Sequence, residues 1–142
     1  MYDTILVPTD GSDQSDAALD HALELSGPHD SEVHVLYVAD TNRDSLTTQR
    51  GEVVDALEQE GDRVVSEALD RVAAGVDVVD AVETGDPVET ILDYADAVDA
   101  DLVVMGTHGR RGLDRYLLGS TTERVVRLAS VPILTIREEE AA

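Results

Sequence analysis

The chain has 142 residues, of which 42% are hydrophobic, and its 31 acidic residues against 10 basic residues give a formal net charge of -21. This length fits one domain with a core large enough to fold alone, and the negative charge argues against nucleic acid or an anionic membrane as a partner. All ten basic residues are Arg and cysteine is absent, which excludes thiol chemistry, Schiff bases and a phosphate-binding lysine.

The composition also suggests where the protein works. An acidic chain without lysine and with only 3% aromatic residues is typical of adaptation to a salt-rich, halophilic cytoplasm, because salt screens repulsion while carboxylates keep the surface hydrated. The first residues lead into a short strand pattern rather than a signal peptide, and no apolar segment reaches transmembrane length. We therefore expect a cytoplasmic protein that gains stability from salt.

Short apolar runs alternate with helical patterns along the whole chain. Continuous apolar runs between turn residues are typical of strands buried in a parallel sheet, and alternation with acidic residues is typical of a more exposed strand. The five predicted strands are Thr4–Val7, Val33–Val38, Val76–Val82, Leu102–Met105 and Val131–Ile136.

Helical spacing of apolar residues predicts four helices between these strands. The first is capped by Ser12 or Asp13 and ends at Gly27-Pro28. The second follows a polar connection that extends to about Thr48. Gly61 interrupts this second helix, where it costs about 1 kcal/mol relative to Ala, so we expect a bend or a break there.

The last two helices have recognisable first turns. Asp86 followed by Pro87 predicts an N-cap with proline in the first helical position. The fourth helix begins at about Ser120, and the spacing of Ser120 and Glu123 fits a capping box, in which each side chain bonds to the other residue's backbone.

Five strands that alternate with four helices predict one α/β domain over residues 1–137, followed by an acidic tail at 138–142. We expect an open five-stranded parallel sheet in the order 3-2-1-4-5, with helices on both faces. Ligands bind such sheets at the carboxyl ends of the strands where the winding reverses, here between strands 1 and 4. That point brings Asp10 next to Gly106 and Gly109, whose backbone can closely approach an anion.

The glycine spacing resembles a known family. Gly106 and Gly109 follow an apolar strand, Gly119-Ser120 comes after nine intervening residues, and the chain starts with Ile-Leu-Val-Pro-Thr-Asp at 5–10. This combination resembles the universal stress protein family in its ATP-binding branch, over residues 2–137. The resemblance implies a five-stranded parallel α/β fold and a homodimer formed through the last strand, Val131–Ile136.

The resemblance also implies a site for ATP, or for AMP or ADP, with Mg²⁺ bridging the phosphates. It implies that Asp10 accepts hydrogen bonds from ribose or adenine, that Val38 packs beside adenine, and that Met105 and Gly106 approach the ribose and phosphates. The complete set of implied contact residues is Pro8, Thr9, Asp10, Val38, Met105, Gly106, Gly109, Gly119, Ser120 and Thr121.

These residues also have purely structural interpretations. Asp10 fits a turn after Pro8, Ser120 fits a helix cap, and Met105 and Val38 fit a hydrophobic core. His108 lies between glycines without a nucleophile nearby and is interpreted as a loop residue, not as a general base.

A cluster of cations lies close to the glycine motif. Five of the ten basic residues fall within 18 positions: Arg110, Arg111, Arg115, Arg124 and Arg127. An anion site in a strongly negative protein needs local compensation, and this favours a binding role over simple charge balance, although the role of Arg110-Arg111 stays open.

No paired carboxylates and no positioned general base stand out in the sequence. This argues against a fast catalyst, and the resemblance to the universal stress protein family implies a nucleotide-dependent stress regulator or sensor. Two alternatives remain open: a dimeric interaction protein that binds no nucleotide, and a slow ATPase or nucleotidyl or phosphoryl transferase.

Overall fold

The structure is a computed structural model that describes residues 2–40, 50–107 and 119–137. The elements in chain order are β1 (Thr4–Pro8), α1 (Asp13–His29), β2 (Glu32–Asp40), α2 (Arg50–Leu69), β3 (Val78–Gly85), α3 (Pro87–Ala97), β4 (Leu102–Gly106), α4 (Ser120–Leu128) and β5 (Ile133–Ile136). The strands form one parallel sheet in the order β3-β2-β1-β4-β5. This confirms the predicted α/β fold and strand order.

Each face of the sheet has its own hydrophobic core. On one face, Ile5 and Val7 pack with Leu19 of α1. On the other face, Leu6 packs with Ile91 of α3 and Val125 of α4. Burial on both faces explains why the central strands are continuous apolar runs in the sequence.

Of the bend or break predicted in the second helix, the break is wrong, because α2 continues through Gly61. A Cβ atom at this position would lie 2.6 Å from Cδ1 of Tyr37 and 2.9 Å from Cγ1 of Val82. The missing side chain therefore lets α2 pack closely on β2 and β3. Tertiary packing here offsets the poor helix propensity of glycine.

Two predicted ends also differ from the structure. The first helix continues past Gly27-Pro28 to His29, and Asp30 ends it in a left-handed conformation, with φ 54° and its N–H donated to the Ser26 carbonyl. The last strand begins at Ile133 and not at Val131. Pro132 explains this, because proline has no N–H for a strand ladder.

The third strand is shifted relative to its prediction, from 76–82 to Val78–Gly85. Its position follows from pairing with β2, in which Val33 is opposite Val78 and Asp40 is opposite Gly85. Exposed acidic residues made the local pattern uninformative about where this pairing begins.

Candidate functional site

The carboxyl ends of β1 and β4 lie side by side in the sheet. The β1 strand leads into α1 through residues 9–12, and Thr107 follows β4. Gly119 donates its N–H to the Thr107 carbonyl at 2.6 Å, which brings the start of α4 to the end of β4. The edge predicted to bind a ligand is therefore bordered by the β1–α1 connection and the first turn of α4.

A network of small polar groups shapes the β1–α1 connection. Asp10 Oδ1 accepts a hydrogen bond from the Ser12 N–H at 2.9 Å and lies 3.2 Å from Ser15 Oγ. Thr9 Oγ1 lies 3.0 Å from Ser15 Oγ and accepts the Gly11 N–H at 3.1 Å. Gly11 has φ 81°, a conformation that favours glycine. The turn interpretation of Asp10 is thus correct, and the turn fixes this carboxylate at the sheet edge.

The first turn of α1 adds negative charge to this connection. Ser12 is the N-cap and accepts the Ser15 N–H, while Asp13 and Asp16 lie in the first turn. Burial, followed by repulsion from carboxylates that include Asp13 and Asp10, raises the pKa of Asp16, although Arg71 opposes the shift. An anionic ligand at this edge therefore needs positive charge or backbone N–H groups from elsewhere.

Gly106 has a structural reason to be glycine. A Cβ atom there would lie 2.8 Å from the backbone carbon of Gln14 and 2.9 Å from its oxygen. The Gln14 side chain also approaches Thr107, whose Oγ1 is 3.4 Å from Gln14 Oε1. Gly106 therefore allows α1 to lie directly against the end of β4.

The capping box predicted for the first turn of α4 is wrong. Gly119 is the N-cap and provides no side-chain hydrogen bond, while Ser120 is the first helical residue and is exposed. Glu123 instead accepts a hydrogen bond from Arg127 at 2.6 Å. Because the cap falls one residue earlier than predicted, Ser120 and Glu123 no longer have the required spacing.

Thr122 holds this turn against the sheet. Its side chain is buried, with 5% of the residue exposed, and its hydroxyl donates to the Gly106 carbonyl at 2.9 Å. Sequence reasoning missed Thr122, Ser15, Gln14 and Thr107 as site residues. The one available signal was that Thr122 lies three residues before Val125, on the buried face of α4.

The predicted contact residues lie at the carboxyl edge wherever the structure describes them. Val38 is half-buried and packs against the same core cluster as Met105, which is 5% exposed, so both also fit their structural interpretation. Gly109 lies outside the described residues, as do His108 and Arg110-Arg111. The positions found at strand or helix ends are Pro8, Thr9, Asp10, Met105, Gly106, Gly119, Ser120 and Thr121.

Two features of the described residues concern metal and membrane binding. Within residues 2–40, 50–107 and 119–137, no group of three His, Cys, Asp or Glu side chains is arranged to hold a metal ion. No helix in these same ranges is long and apolar enough to cross a membrane.

The sequence and the fold both match known proteins. A profile of the universal stress protein family matches residues 1–137. A universal stress protein of Methanocaldococcus jannaschii is 36% identical, over 97% of this chain and 84% of the relative. The solved structure of UspA from Lactobacillus plantarum has a TM-score of 0.85 at 29% identity, covering 96% of this chain and 98% of that one. A universal stress protein solved in complex with cAMP has a TM-score of 0.76 at 29% identity, covering 97% and 99%. The chain belongs to the universal stress protein family.

Proposed function

We propose that this protein binds an adenine nucleotide, preferably ATP, at the carboxyl edge between β1 and β4, and acts as a homodimeric stress regulator or sensor. The observation that carries the proposal is the first turn of α4, which lacks a side-chain cap and is held beside the end of β4. Binding of cAMP by a universal stress protein of the same fold supports an adenine nucleotide as the ligand.

The start of α4 fits the phosphates. The first N–H groups of a helix have no partner within the helix and carry a partial positive charge, so they bind anions well. Gly119 has no side-chain oxygen to compete for these N–H groups, and the exposed Ser120 can add a hydroxyl donor. Backbone donors are the chemistry expected of a phosphate site in a chain without lysine.

The β1–α1 connection fits the nucleoside. Its hydrogen bonds to Ser12 and Ser15 hold the Asp10 carboxylate in place, and a carboxylate is a suitable acceptor for ribose hydroxyls or the adenine amino group. The half-buried Val38 provides apolar surface for the base near the end of β2, while Pro8 at the end of β1 is buried beneath this edge.

We expect ATP to bind together with a divalent cation. ATP brings several negative charges to an edge that already carries Asp10, Asp13 and Asp16. Mg²⁺ characteristically coordinates phosphate oxygens and water and does not require an all-protein cage. We therefore expect ATP affinity to decrease when Mg²⁺ is chelated.

The second subunit would bind along β5, the outermost strand next to β4. An unpaired strand edge invites pairing with another chain, and the side chains of Ile133, Leu134 and Ile136 are all half-buried. Val126 and Leu128 of the neighbouring α4 expose 43% and 57% of their surface, which adds apolar area for contact. Light scattering that shows a monomer at micromolar concentration would reject the homodimer.

The nucleotide proposal is tested by identifying the ligand released from freshly purified protein by mass spectrometry, and by ATP titration calorimetry with Mg²⁺ in molar salt. The Asp10→Asn variant retains an oxygen for the Ser12 N–H but loses the charge and one acceptor, so we expect about tenfold weaker ATP binding. Asp101→Asn is the matched control, because Asp101 accepts the N–H groups of Asp3 and Thr4 at the opposite edge of the sheet. Absence of both copurified nucleotide and ATP binding in the wild type would refute the proposal.

A further inference from the structure

Thr122 makes a buried contact that the nucleotide-binding pattern does not require. It is the third residue of α4, and its hydroxyl reaches out of the helix to the carbonyl of Gly106, the last residue of β4. A threonine in a first turn can instead bond within its own helix or point to solvent. Here the hydroxyl connects two elements that both border the proposed phosphate site.

The hydrogen bond belongs to a two-point attachment. Gly119 donates its N–H to the Thr107 carbonyl at 2.6 Å, and Thr122 donates its hydroxyl to the Gly106 carbonyl at 2.9 Å. One contact fixes the N-cap, while the other fixes the far side of the same turn. Together they determine how the intervening N–H groups of Ser120 and Thr121 are oriented relative to β4.

The strand side of this attachment is itself rigidly packed. The space where Gly106 would carry a side chain is filled by the backbone of Gln14 in α1, at 2.8 Å from the ideal Cβ position. Thr107 donates its N–H to Ile136 at 3.0 Å, which ties the same end of β4 to β5. The Gly106 carbonyl is therefore a fixed point, and a hydrogen bond to it orients α4.

We propose that Thr122 is a positioning residue for the phosphates of the nucleotide: its buried hydroxyl holds the first turn of α4 so that the N–H groups of Ser120 and Thr121 point to the anion. This inference rests on the proposed function. Hydrogen bonds prefer donor angles above about 150° and weaken steeply below about 120°, so a rotation of the turn that takes these N–H groups out of the preferred range reduces phosphate affinity. The nucleoside contacts on β1 and β2 lie on other elements and are not affected by such a rotation.

The experiment compares the affinities for adenosine and for Mg-ATP, measured by competition calorimetry in molar salt. The gain from the phosphates is the ratio of the adenosine Kd to the ATP Kd. Thr122→Val has nearly the same shape but no hydroxyl, and we expect it to reduce this ratio by about fivefold with little change in adenosine affinity. Thr122→Ser retains the hydroxyl and is expected to restore the ratio to nearly the wild-type value.

Val125→Ala is the control for a merely structural effect. Val125 is fully buried one turn later in the same helix, so its truncation destabilises α4 without removing the contact between Thr122 and Gly106. We expect its thermal unfolding temperature to fall and its affinity ratio to stay at the wild-type value. If Thr122→Val does not fold, Thr122→Ala replaces it as the variant without a hydroxyl and is compared with Thr122→Ser, which retains the hydroxyl.

The outcomes separate the two proposals. If wild-type protein binds neither adenosine nor ATP, the proposed function itself fails. If the wild type binds both and Thr122→Val leaves the ratio unchanged, or if Val125→Ala lowers it equally, the positioning role of Thr122 is refuted while the proposed function stands. A reduced ratio in Thr122→Val alone, recovered in Thr122→Ser, supports it.

Discussion

Replacing Gly61 by Ala separates helix propensity from tertiary packing. In an exposed helix interior this change stabilises by about 1 kcal/mol, because Ala is the better helix former. Here the new Cβ would lie 2.6 Å from Cδ1 of Tyr37 and 2.9 Å from Cγ1 of Val82. Real Cβ atoms essentially never approach other atoms this closely, so the helix or the Tyr37 ring must move.

The magnitude follows from comparing the two effects. Tyr37 is only 5% exposed, so its ring has little free space into which it can move. Forcing an extra carbon into a packed core costs about 1 to 3 kcal/mol. We expect the clash to cost an amount near the upper end of that range, and the better helix propensity of Ala to offset about 1 kcal/mol of this cost. Gly61→Ala should therefore lose about 1 to 2 kcal/mol of unfolding free energy.

Ala56→Gly is the matched control, because Ala56 is an exposed residue of the same helix. It measures the propensity difference without the clash and should lose about 1 kcal/mol. Both free energies are measured by chemical denaturation in molar salt. If Gly61→Ala is as stable as the wild type or more stable, the packing explanation for this glycine is wrong and the residue serves another purpose.

Three further predictions concern charge. Asp16→Asn should raise the unfolding free energy at neutral pH, because burial, and after it the neighbouring carboxylates, raise the pKa of Asp16 in the folded state. This gain in stability should disappear as the pH falls below 3.8, the ordinary pKa of Asp, because Asp16 is then protonated in both the folded and the unfolded state. Burial and the Glu83 charge raise the pKa of Tyr94, so unfolding free energy should fall as the pH rises above about 10, where the unfolded chain ionises first; Tyr94→Phe should flatten this decline. The net charge of -21 predicts a higher melting temperature in molar KCl than in dilute buffer, and equal values by calorimetry would contradict the halophilic interpretation.

The sequence predicts the secondary structure and strand order of this protein better than it predicts the structural roles of individual residues. Strands buried on both faces, such as Leu102–Gly106, are continuous apolar runs, and their alternation with helices leaves few strand orders to consider. The position of the candidate site follows from that order alone. The role of Gly61 could not be predicted, because it depends on Tyr37 and Val82, which come from two other elements.

Within the candidate site, the role of Gly106 also could not be predicted from the sequence. The spacing motif assigns this glycine to the nucleotide, yet the backbone of Gln14 already requires it. Its presence therefore does not distinguish a chain that binds a nucleotide from one that only packs α1 against β4. The more informative residue is Gly119, whose backbone angles do not require glycine.

Gly119 has φ -64° and ψ 157°, an extended conformation that any residue can adopt, so its backbone does not demand glycine. Asp or Asn at a helix N-cap is usually preferred and would stabilise the fold by a few tenths of a kcal/mol or more. In Gly119→Asp and Gly119→Asn, the new side-chain oxygen would accept an N–H that we assign to phosphate. We therefore expect both variants to unfold at higher temperature and to bind ATP at least about tenfold more weakly. If ATP affinity also falls in the Asn variant, charge repulsion is not the sole cause of the effect. If both variants bind ATP as tightly as the wild type, the phosphates lie elsewhere.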